Sequence, residues 1–550
     1  MKNLPSPMVD AQILQDRILP VLVRSRAQST PHFVCVKEVA GATSTYSELN
    51  RASQGFGTYF QELGVRQGEV VATFLDASIV ALEVWMGLCW AGATEAALNT
   101  GYRHQLLADV LNDTRSQTVV TTTGFLPVLL EVAGSLDFVE RIVLLDTDSV
   151  PVSAHGAWKL IPARKAREWV AVAENLIEPD LETASCILYT SGTTGPSKGV
   201  VLPWAQMLET GRTIIPIQHM QNSDVFYSPY APCHITGKAY FYSMTLLGGG
   251  YVIKKQFRTA EFWPDVRAYN CTTTLLQGAM AHFLWNQKAT DEDALTPMTQ
   301  VIIAPVIAEV DAFEERFGVK VGTAYNMTEL SCPLVSDGWF NDGVGSCGTA
   351  RLGVTARLVN ELDYEVAVGE VGELVVRHDD PWTLTSGYYR RPDATADANR
   401  NQWFHTGDAF YRDEEGNFFF VDRMNDSIRR RGENISSAEV EREVRKFDGV
   451  KEVAAIAAKS EFSEDEVRIV IVEEPGSRVD FDELFAFLET RMARYMLPRY
   501  MDVVAAIPKT ETQKIQKNLL RAMPITEQTW EAPKSRARAG NPTSESMSAP

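Results

Sequence analysis

The sequence is short of basic residues, of paired cysteines and of long uncharged apolar runs. Lysine and arginine together number 52 against 71 aspartates and glutamates in a chain of 550 residues, which gives a net charge of −19. This charge argues against nucleic acid or an anionic membrane surface as a partner, because their phosphates would repel it. The seven cysteines form no C-x-x-C pair and no metal-ligand spacing. We interpret them as small buried residues in a reducing compartment.

Signals for export or membrane insertion are also lacking in the sequence. The N-terminal segment Met1–Pro5 has no apolar core of the kind found in signal peptides. The most apolar window, Ala77–Leu98, contains Glu83 and Glu95, and we interpret it as a core helix and its exit. We therefore expect a cytoplasmic protein without integral membrane association.

The pattern of apolar segments predicts more than one domain. Short apolar strands alternate with helical patterns from residue 30 to 380, which predicts an α/β fold with layered, largely parallel sheets and then a β-rich subdomain. We expect residues 1–423 to form this large domain and residues 424–523 a small mobile α+β domain. Residues 524–550 are rich in Pro, Ser, Thr and Ala, so a disordered tail is expected there.

The most informative segment is the polar loop Tyr-Thr-Ser-Gly-Thr-Thr-Gly-Pro-Ser-Lys-Gly at residues 189–199, which follows the apolar run Cys186–Leu188. Its glycines let backbone N–H groups approach a ligand closely, its hydroxyls donate to oxygens and its lysine supplies positive charge. It is not a Walker A loop, because Lys198 lies three residues past Gly195 and precedes Gly199. We predict that the loop wraps a polyphosphate; an ordinary polar surface loop is the alternative.

This loop resembles the signature of the adenylate-forming superfamily, which includes acyl-CoA synthetases, luciferases and the adenylation domains of peptide synthetases. The likeness covers roughly residues 15–522, and the run Asp422–Asn434 is most similar to crotonobetaine/carnitine-CoA ligase-like enzymes. The resemblance implies ATP, Mg2+ and coenzyme A as cofactors. It assigns cofactor binding to the loop residues Thr190, Ser191, Gly192, Thr193, Thr194, Gly195 and Lys198. It also implies that Thr194 acts in catalysis and binds the metal.

A second element, Thr323–Glu329, resembles the family's aromatic-Gly-x-Thr-Glu pattern. The match implies that Tyr325 stacks on adenine, that Thr328 contacts the α-phosphate and that Glu329 is catalytic and binds Mg2+. Asn326 stands among these cofactor-binding residues where glycine is usual, and we expect its side chain to narrow the floor of the nucleotide or acyl pocket. A strand end with a solvated glutamate is the alternative interpretation.

A third element, Trp403–Asp408, matches the family's Trp-x-x-Thr-Gly-Asp pattern. By this match, the carboxylate of Asp408 accepts hydrogen bonds from both ribose hydroxyls, and Arg423 donates to the same sugar. Thr-Gly-Asp alone is a common turn. The spacing of fifteen residues to Arg423 is what favours the functional interpretation.

The segment Pro508–Lys517 resembles the part of the family that holds the catalytic lysine. The match places this role on Lys514, which would bridge the incoming carboxylate and the α-phosphate, with Lys509 and Lys517 as rival candidates. Gln513 stands where glycine commonly precedes this lysine, which leaves the local turn less well defined.

The resemblance also implies a hinge at Asn425. Rotation about it after adenylation would withdraw Lys514 and bring the loop around Gly432, a cofactor-binding residue, to the thiol channel. One glycine of the family's Gly-Gly-Glu-Asn is replaced here by Arg431. The run Arg429–Arg431 either contacts CoA phosphates or forms a solvated face.

The acyl site is expected near Pro232–Gly237, which resembles the family's Pro-x-x-His-x-x-Gly element. There His234 would gate the carboxylate side of the pocket and act in catalysis. The substrate pocket is assigned to His234, Lys238, Gln277 and Gly278. Gly278, which stands where proline is frequent, together with Lys238 and Tyr240 would admit a polar or bulky acid. Ala304 and Pro305 align with the pocket wall and are also assigned to cofactor binding.

Taken together, these motifs imply an AMP-forming acid–CoA ligase that makes acyl-AMP and then passes the acyl group to the thiol of CoA. One alternative is an adenylating enzyme that uses a carrier protein or another acceptor, although no carrier domain is evident in the sequence. The other is a non-catalytic nucleotide-binding homologue, which the joint presence of all the motifs disfavours. Betaine-like, fatty, aromatic and steroid-derived acids all remain open, as does a homodimeric state.

Overall fold

The computed structural model describes residues 14–150, 158–190, 197–339, 345–423, 427–430, 433–459, 465–508, 515 and 517–533. The chain divides into two compact units, one formed by residues 1–190 with 197–425 and the other by residues 191–196 with 426–550. The first contains layered α/β sheets and a β-rich part, and the second contains a small sheet with helices. The predicted α/β fold class is confirmed.

Two large and mostly parallel sheets form the centre of the first unit. One consists of eight described strands in the order Gly387–Tyr388, Lys198–Pro203, Ala184–Thr190, Thr94–Ala97, Val70–Phe74, Thr118–Thr121, Arg141–Leu144 and Lys159–Pro162. The other consists of seven in the order Lys320–Gly322, Gln300–Ala304, Thr273–Gln277, Val225–Ser228, Gly250–Ile253, Val34–Glu38 and Thr43–Thr45. Their central strands are buried runs of apolar residues, as expected for parallel sheets covered on both faces.

Two of the described helices that cover these sheets begin at side-chain caps. Thr45 and Glu48 form a capping box at the start of the helix Tyr46–Glu62, and Ser78 caps Ile79–Trp90. The described helices of this unit are Leu19–Ser29, Tyr46–Glu62, Ile79–Trp90, His104–Thr114, Leu126–Glu131, Trp204–Thr213, Ile235–Leu247, Thr259–Ala268, Gly278–Trp285, Val310–Phe317 and Pro392–Ala398. Short 3-10 turns lie at Ala133–Ser135, Arg164–Glu168, Ala173–Asn175, Ile217–His219 and Arg400–Gln402. The core helix expected within the window Ala77–Leu98 is present and spans Ile79–Trp90.

The β-rich part of the first unit is antiparallel. Four strands pair in the order Val354–Val359, Gly372–His378, Phe404–Arg412 and Phe418–Arg423. A smaller sheet consists of Ala324–Tyr325, Leu334–Val335 and Thr349–Ala350. Leu358, Leu374, Phe410 and Phe418 form a shared buried cluster, which fixes the position of the strand that carries Asp408.

The second unit is a small α+β fold. Val450–Lys459, Asp465–Glu473, Tyr500–Val503 and Trp530–Glu531 form its sheet, and Ser427–Arg430 pairs with Glu433–Ser436. Its helices are Ser437–Val444, Phe481–Glu489 and Lys517–Arg521, with a 3-10 turn at Arg494–Met496. Asp480 caps the helix Phe481–Glu489 by accepting hydrogen bonds from two backbone N–H groups.

The chain beyond residue 524 is ordered further than its composition predicts. Trp530–Glu531 pairs antiparallel with Tyr500–Val503, and the Trp530 ring lies 5.4 Å from the ring of Phe485. The expectation of a disordered tail from 524 onward was therefore wrong for its first part. Polar contacts also hold the segment, because Thr529 donates to Asp502 at 2.7 Å and Arg499 to the carbonyl oxygen of Ala532 at 2.9 Å. Average composition does not reveal such contacts. Residues 534–550 lie outside the described residues.

All seven cysteines are buried thiols. Burial raises the pKa of Cys35, Cys186 and Cys332 to about 12, so these thiols stay protonated near neutral pH. Within the part of the chain that the structure describes, no helix has both the length and the apolar character needed to span a bilayer.

A buried histidine should make the stability of the first unit depend on pH. Burial, and then the nearby Arg351, lowers the pKa of His378 from 6.5 to about 3. Below pH 6.5 this histidine is protonated in the unfolded chain but not in the folded chain. Part of the free energy of unfolding that is present above pH 6.5 is therefore lost as the pH falls towards 3. At pH 5 the loss of unfolding free energy is about 2 kcal/mol, because each pH unit below 6.5 contributes about 1.4 kcal/mol.

We expect His378→Gln to flatten the dependence of unfolding free energy on pH between 7 and 5. Glutamine keeps a polar group beside Ser331 and Thr383, which lie 3.4 and 3.2 Å from Nδ1 of His378. Urea titrations at several pH values measure the effect, and the exposed His32 provides a control variant, His32→Gln. An unchanged pH slope in His378→Gln would contradict the prediction.

Candidate active site

The polar loop 191–196 joins two paired strands of the eight-stranded sheet. Thr190 ends the first strand and lies opposite Lys198, which begins the second. The hydroxyl of Thr190 is 3.5 Å from the carbonyl oxygen of Lys198. The two predicted phosphate-binding residues are thus brought together at one edge of the sheet. The other predicted loop residues, Ser191, Gly192, Thr193, Thr194 and Gly195, lie outside the described residues.

Tyr388 connects the phosphate loop to the predicted metal ligand. The ammonium group of Lys198 lies 5.0 Å from the centroid of the Tyr388 ring. The Tyr388 hydroxyl donates a hydrogen bond of 2.8 Å to Oε1 of Glu329. Burial, and then Glu329, raises the pKa of Tyr388, so the hydroxyl keeps its proton and remains a donor. Lys198, Tyr388 and Glu329, which are far apart in the sequence, are therefore linked by successive contacts.

Sequence reasoning missed Tyr388 altogether. Its position depends on the antiparallel pairing of Gly387–Tyr388 with Lys198–Pro203, in which Tyr388 lies opposite Val200. A two-residue strand so far from its partner in the sequence leaves no periodic signal. The Gly-Tyr-Tyr run at 387–389 is the only visible cue, and such runs are common.

The element Thr323–Glu329 is held from both sides by side-chain hydrogen bonds. Nε2 of Gln206 donates to the carbonyl oxygens of Thr328 and Leu330, at 2.9 and 3.0 Å. Oδ1 of Asn326 accepts the backbone N–H of Cys332 at 2.8 Å. Asn326, which replaces a glycine, thus stabilises its own loop. Its role as a cofactor contact stays a prediction.

Two predicted nucleotide-binding residues are in direct contact. The hydroxyl of Tyr325 donates to Oδ2 of Asp408 at 2.6 Å, and its ring packs edge-on against Phe410 with 5.0 Å between centroids. Asp408 is 4% exposed, which places its carboxylate inside the site. This contact unites the second and third sequence elements.

The turn that presents Asp408 depends on Glu373. Gly407 has φ of +71°, a conformation that favours glycine, and its N–H donates to Glu373 Oε1 at 3.0 Å. His405 Nδ1 lies 3.0 Å from Oε2 of the same glutamate. Asp408 faces Arg423 across the strand pair, which explains their spacing in the sequence. The Arg423 side chain is outside the described part.

The predicted walls of the acyl pocket also come together. Gln277 and Ala304 are opposite each other on neighbouring parallel strands. A Cβ at Gly278 would lie 3.2 Å from the carbonyl oxygen of Pro305, so the glycine permits close packing of these two segments. His234 immediately precedes the helix Ile235–Leu247 and is partly exposed.

Lys238 does not line an open pocket, contrary to the sequence expectation. Its ammonium lies 2.5 Å from Oε2 of Glu95 and 4.0 Å from the Trp85 ring centroid, and both charged side chains are only 1% exposed. The Thr73 hydroxyl donates to the other oxygen of Glu95 at 2.7 Å. A buried ammonium requires a counter-ion, and this interior pair supplies it. Nearby, Trp204 is a core residue stacked 5.3 Å from Trp85.

In the second unit, two of the cationic candidates have structural partners. Lys517 Nζ is 2.7 Å from both Glu441 Oε1 and the Ser437 hydroxyl, so it has structural partners, and the catalytic role of Lys514 stays a prediction. Arg430 is buried and donates to the Leu497 carbonyl at 2.6 Å, so it serves the interior, while Arg429 is exposed. Asn425, Arg431, Gly432, Lys509, Gln513 and Lys514 lie outside the described residues.

The residues present suit a magnesium ion that is shared with nucleotide phosphates. Glu329 is 5% exposed. Mg2+ in nucleotide sites usually takes one or two carboxylates and completes its shell with phosphate oxygens and water. In the described ranges, no group of three or more His, Cys, Asp and Glu side chains is placed to hold a metal by itself. One carboxylate beside a phosphate loop is consistent with this mode of binding.

We expect Tyr388→Phe to lower the rate of acid-dependent pyrophosphate release about tenfold. Phenylalanine keeps the ring beneath Lys198 but loses the hydrogen bond to Glu329, and a hydrogen bond to a charged group contributes about 1.5–3 kcal/mol. If Glu329 holds Mg2+ as the resemblance implies, higher Mg2+ concentration should partly restore the rate. The neighbouring Tyr389→Phe, which removes only a 3.4 Å contact to Thr114, is the matched control. Equal rates in the two variants would contradict the prediction.

Comparison with known proteins identifies relatives of both parts of the chain. Residues 23–389 match a family described as AMP-binding enzyme, and residues 439–514 match the AMP-binding enzyme C-terminal domain. A crotonobetaine/carnitine–CoA ligase of Salmonella arizonae is 29% identical over 490 residues, which is 87% of this chain and 93% of the relative. The ligase of the same name from Citrobacter koseri is 28% identical over 487 residues, with the same coverage.

Solved structures with the same fold cover almost the whole chain. An o-succinylbenzoate CoA synthetase from Bacillus subtilis has a TM-score of 0.79 at 20% identity and covers 93% of this chain and 99% of its own. The amide bond synthetase McbA from Marinactinospora thermotolerans has a TM-score of 0.76 at 20% identity, covering 91% and 99%. A fatty acyl CoA synthetase of Mycobacterium tuberculosis has a TM-score of 0.64 at 23% identity, covering 93% and 98%.

Proposed function

Because this chain belongs to the family of AMP-binding enzymes, we propose that the residues described above carry out the two half-reactions of an AMP-forming acid–CoA ligase. In the first, an oxygen of the carboxylate bonds to the α-phosphorus of ATP, and pyrophosphate leaves. In the second, the sulfur of CoA, after losing its proton, bonds to the acyl carbon, and AMP leaves. The reaction class agrees with the curated ligases that match 87% of the chain.

The first half-reaction brings two anions together, so the site must neutralise charge. We assign this task to Lys198 and the loop 191–196 around the phosphates, with Thr328 at the α-phosphate. Bound Mg2+, held by Glu329 and Thr194, would add positive charge between the phosphate oxygens. The observation that carries this assignment is the Tyr388 hydroxyl bonded to Glu329 at 2.8 Å, with Lys198 above the same ring. In this assignment, Tyr388 orients the Glu329 carboxylate towards Lys198.

The nucleoside is assigned to the contact between Tyr325 and Asp408. The buried Asp408 carboxylate would accept ribose hydroxyls, with Arg423 opposite it on the next strand. Tyr325 would place its ring against adenine, while its hydroxyl, bonded to Asp408 at 2.6 Å, fixes the position of the ribose-binding oxygen. Glu373 supports this arrangement through the turn at Gly407.

The second half-reaction is assigned to the second unit. We propose that Lys514 contacts the reacting carboxylate and α-phosphate during adenylation, that Asn425 is the hinge, and that the loop at Gly432 then meets the pantetheine arm of CoA. Removing a positively charged residue from the acyl-AMP after adenylation clears space for the thiol. A cytoplasmic location and a homodimeric state are further proposals, and light scattering after gel filtration tests the second.

The deciding experiment measures pyrophosphate release and CoA thioester formation with a panel of carboxylic acids. Crotonobetaine and carnitine, which appear in the names of the curated relatives, belong in the panel with fatty, aromatic and dicarboxylic acids. Thioester formation with at least one acid supports the proposal. Acyl-AMP that accumulates in the presence of CoA would indicate another acceptor, and failure with every acid would favour a non-catalytic homologue.

A further inference from the structure

The first unit contains a cavity of about 430 Å³, and of the sequence motifs only the element Thr323–Glu329 contributes to its wall, through Thr323 and Ala324. Most of its wall is apolar and comes from Ile214, Ile215, Leu246, Leu247, Ile302 and Val335. Five charged residues also face it, namely Arg17, Glu209, Arg212, Arg351 and Asp380. A cavity with a mainly apolar wall and a few polar groups on one side is typical of small-molecule sites.

The cavity shares its walls with the elements assigned to the acyl site. Ile302 lies two residues before Ala304 on the same strand, and the wall segment Thr323–Ala324 directly precedes Tyr325. Leu246 lies in the last turn of the helix Ile235–Leu247, whose other end follows His234. A helix of 13 residues is about 20 Å long. An acid that reacts beside His234 must therefore have an extended body to reach the charged part of the cavity.

The charged residues of the cavity wall differ in how many hydrogen bonds and ion pairs they form within the protein. Arg351 is 2.8 Å from Glu209 Oε1 and donates to the carbonyl oxygens of Ser331 and Cys332, so its role is structural. The other Glu209 oxygen accepts from Nη1 of Arg212 at 3.2 Å. Among the described residues, that is the one hydrogen bond that the Arg212 guanidinium makes.

Arg17 and Asp380 also contribute to the electrostatic potential in the cavity. The exposed Arg17 side chain has no hydrogen-bond or ion-pair partner in the described ranges. Glu209 and Asp380 supply two negative charges against the three positive charges of Arg17, Arg212 and Arg351. Arg17 and Arg212 therefore leave a net positive region in a protein whose overall charge is −19.

We propose that this cavity receives the far end of the acyl group and that the substrate is an acid with an apolar body ending in a second anionic group, bound by Arg212 and Arg17. This inference rests on the proposed ligase function. Guanidinium groups pair well with carboxylates, and the Arg212 side chain is only 25% exposed, which strengthens its contact. A cationic end is disfavoured, because three arginines outnumber the two carboxylates in the wall and both Glu209 oxygens are already bonded. A purely apolar end would leave the Arg212 donors unused.

The test compares matched acids on the full-length enzyme. The series runs from succinic to dodecanedioic acid, each paired with the monocarboxylic acid that has the same number of carbons. We expect kcat/KM for pyrophosphate release to be about tenfold higher for one of the longer dicarboxylic acids than for its monocarboxylic partner, as one charge-assisted hydrogen bond allows. In Arg212→Gln this ratio should fall towards one, mainly through a higher KM for the dicarboxylic acid. Arg212→Lys should retain part of the preference.

Controls separate this inference from failure of the proposed function. Arg258→Gln changes an exposed arginine on another surface and should leave the ratio as in the wild type. Arg17→Gln provides a second variant if loss of Arg212 disturbs Glu209. Equal kcat/KM for both acids of every pair in the wild type would overturn the inference while leaving the ligase function intact. If no acid supports turnover, calorimetry with dodecanedioic acid still decides: equal binding to the wild type and Arg212→Gln would overturn it.

Discussion

Replacing Lys514 by alanine is expected to lower the rate of acid-dependent pyrophosphate release by a factor of about 100 to 1,000. Loss of one preorganised donor to the charge that develops in a transition state commonly has this effect. The lysine would hold the carboxylate against the α-phosphate, so its removal loses positioning as well as charge. The second half-reaction, started from synthetic acyl-AMP and CoA, should retain most of its rate, because Lys514 is assigned to adenylation alone.

The other lysines of the second unit provide the comparison. Lys459→Ala removes an exposed lysine from the same unit and should behave as the wild type. Lys509→Ala tests the remaining rival, since Lys517 is already bound to Glu441 and Ser437. Full adenylation activity in Lys514→Ala, or a larger loss in Lys509→Ala, would show that the role has been assigned to the wrong residue.

Breaking the buried pair of Lys238 and Glu95 is expected to lower the free energy of unfolding of the first unit by about 3–5 kcal/mol. Lys238→Met would leave the Glu95 carboxylate uncompensated in the interior, at a position where both side chains are 1% exposed. The Thr73 hydroxyl satisfies one oxygen of the glutamate but supplies no charge. Urea titration monitored by circular dichroism measures the change.

A double replacement distinguishes the effect of an unpaired charge from the effect of altered packing. Lys238→Met combined with Glu95→Leu fills a similar volume without charges, and it should lose much less stability than either single variant. A double variant as unstable as the sum of the single ones would mean that packing, rather than the unpaired charge, causes the loss. A loss below about 1 kcal/mol in Lys238→Met would contradict the prediction, because a surface pair has that magnitude.

Local sequence patterns predicted those parts of the site whose residues are neighbours in the chain or on adjacent strands. The interval from Asp408 to Arg423 is the length of a hairpin, and the two residues do lie opposite each other. The alternation of strands and helices gave the α/β class, because burial on both faces of a parallel sheet leaves continuous apolar runs. Thr190 and Lys198 face each other for the same local reason.

Contacts between distant segments were beyond the reach of those patterns. Lys238 follows the His234 element and was therefore assigned to the pocket, but its partner Glu95 is 143 residues away, on a strand of the eight-stranded sheet. Tyr388 is 59 residues from Glu329, and it meets that residue because a two-residue strand pairs with the strand from Lys198. Such placements depend on how whole sheets pack, and no single segment encodes them.

The burial of all seven native thiols has a practical use for studying this enzyme in motion. Alkylating dyes react with exposed thiolates, so a cysteine placed on the surface would be labelled selectively without first deleting the natural ones. Arg258→Cys in the first unit and Lys459→Cys in the second would carry a donor and an acceptor fluorophore on exposed sites. Energy transfer between the dyes would then follow the spacing of the two units through each catalytic cycle, one molecule at a time.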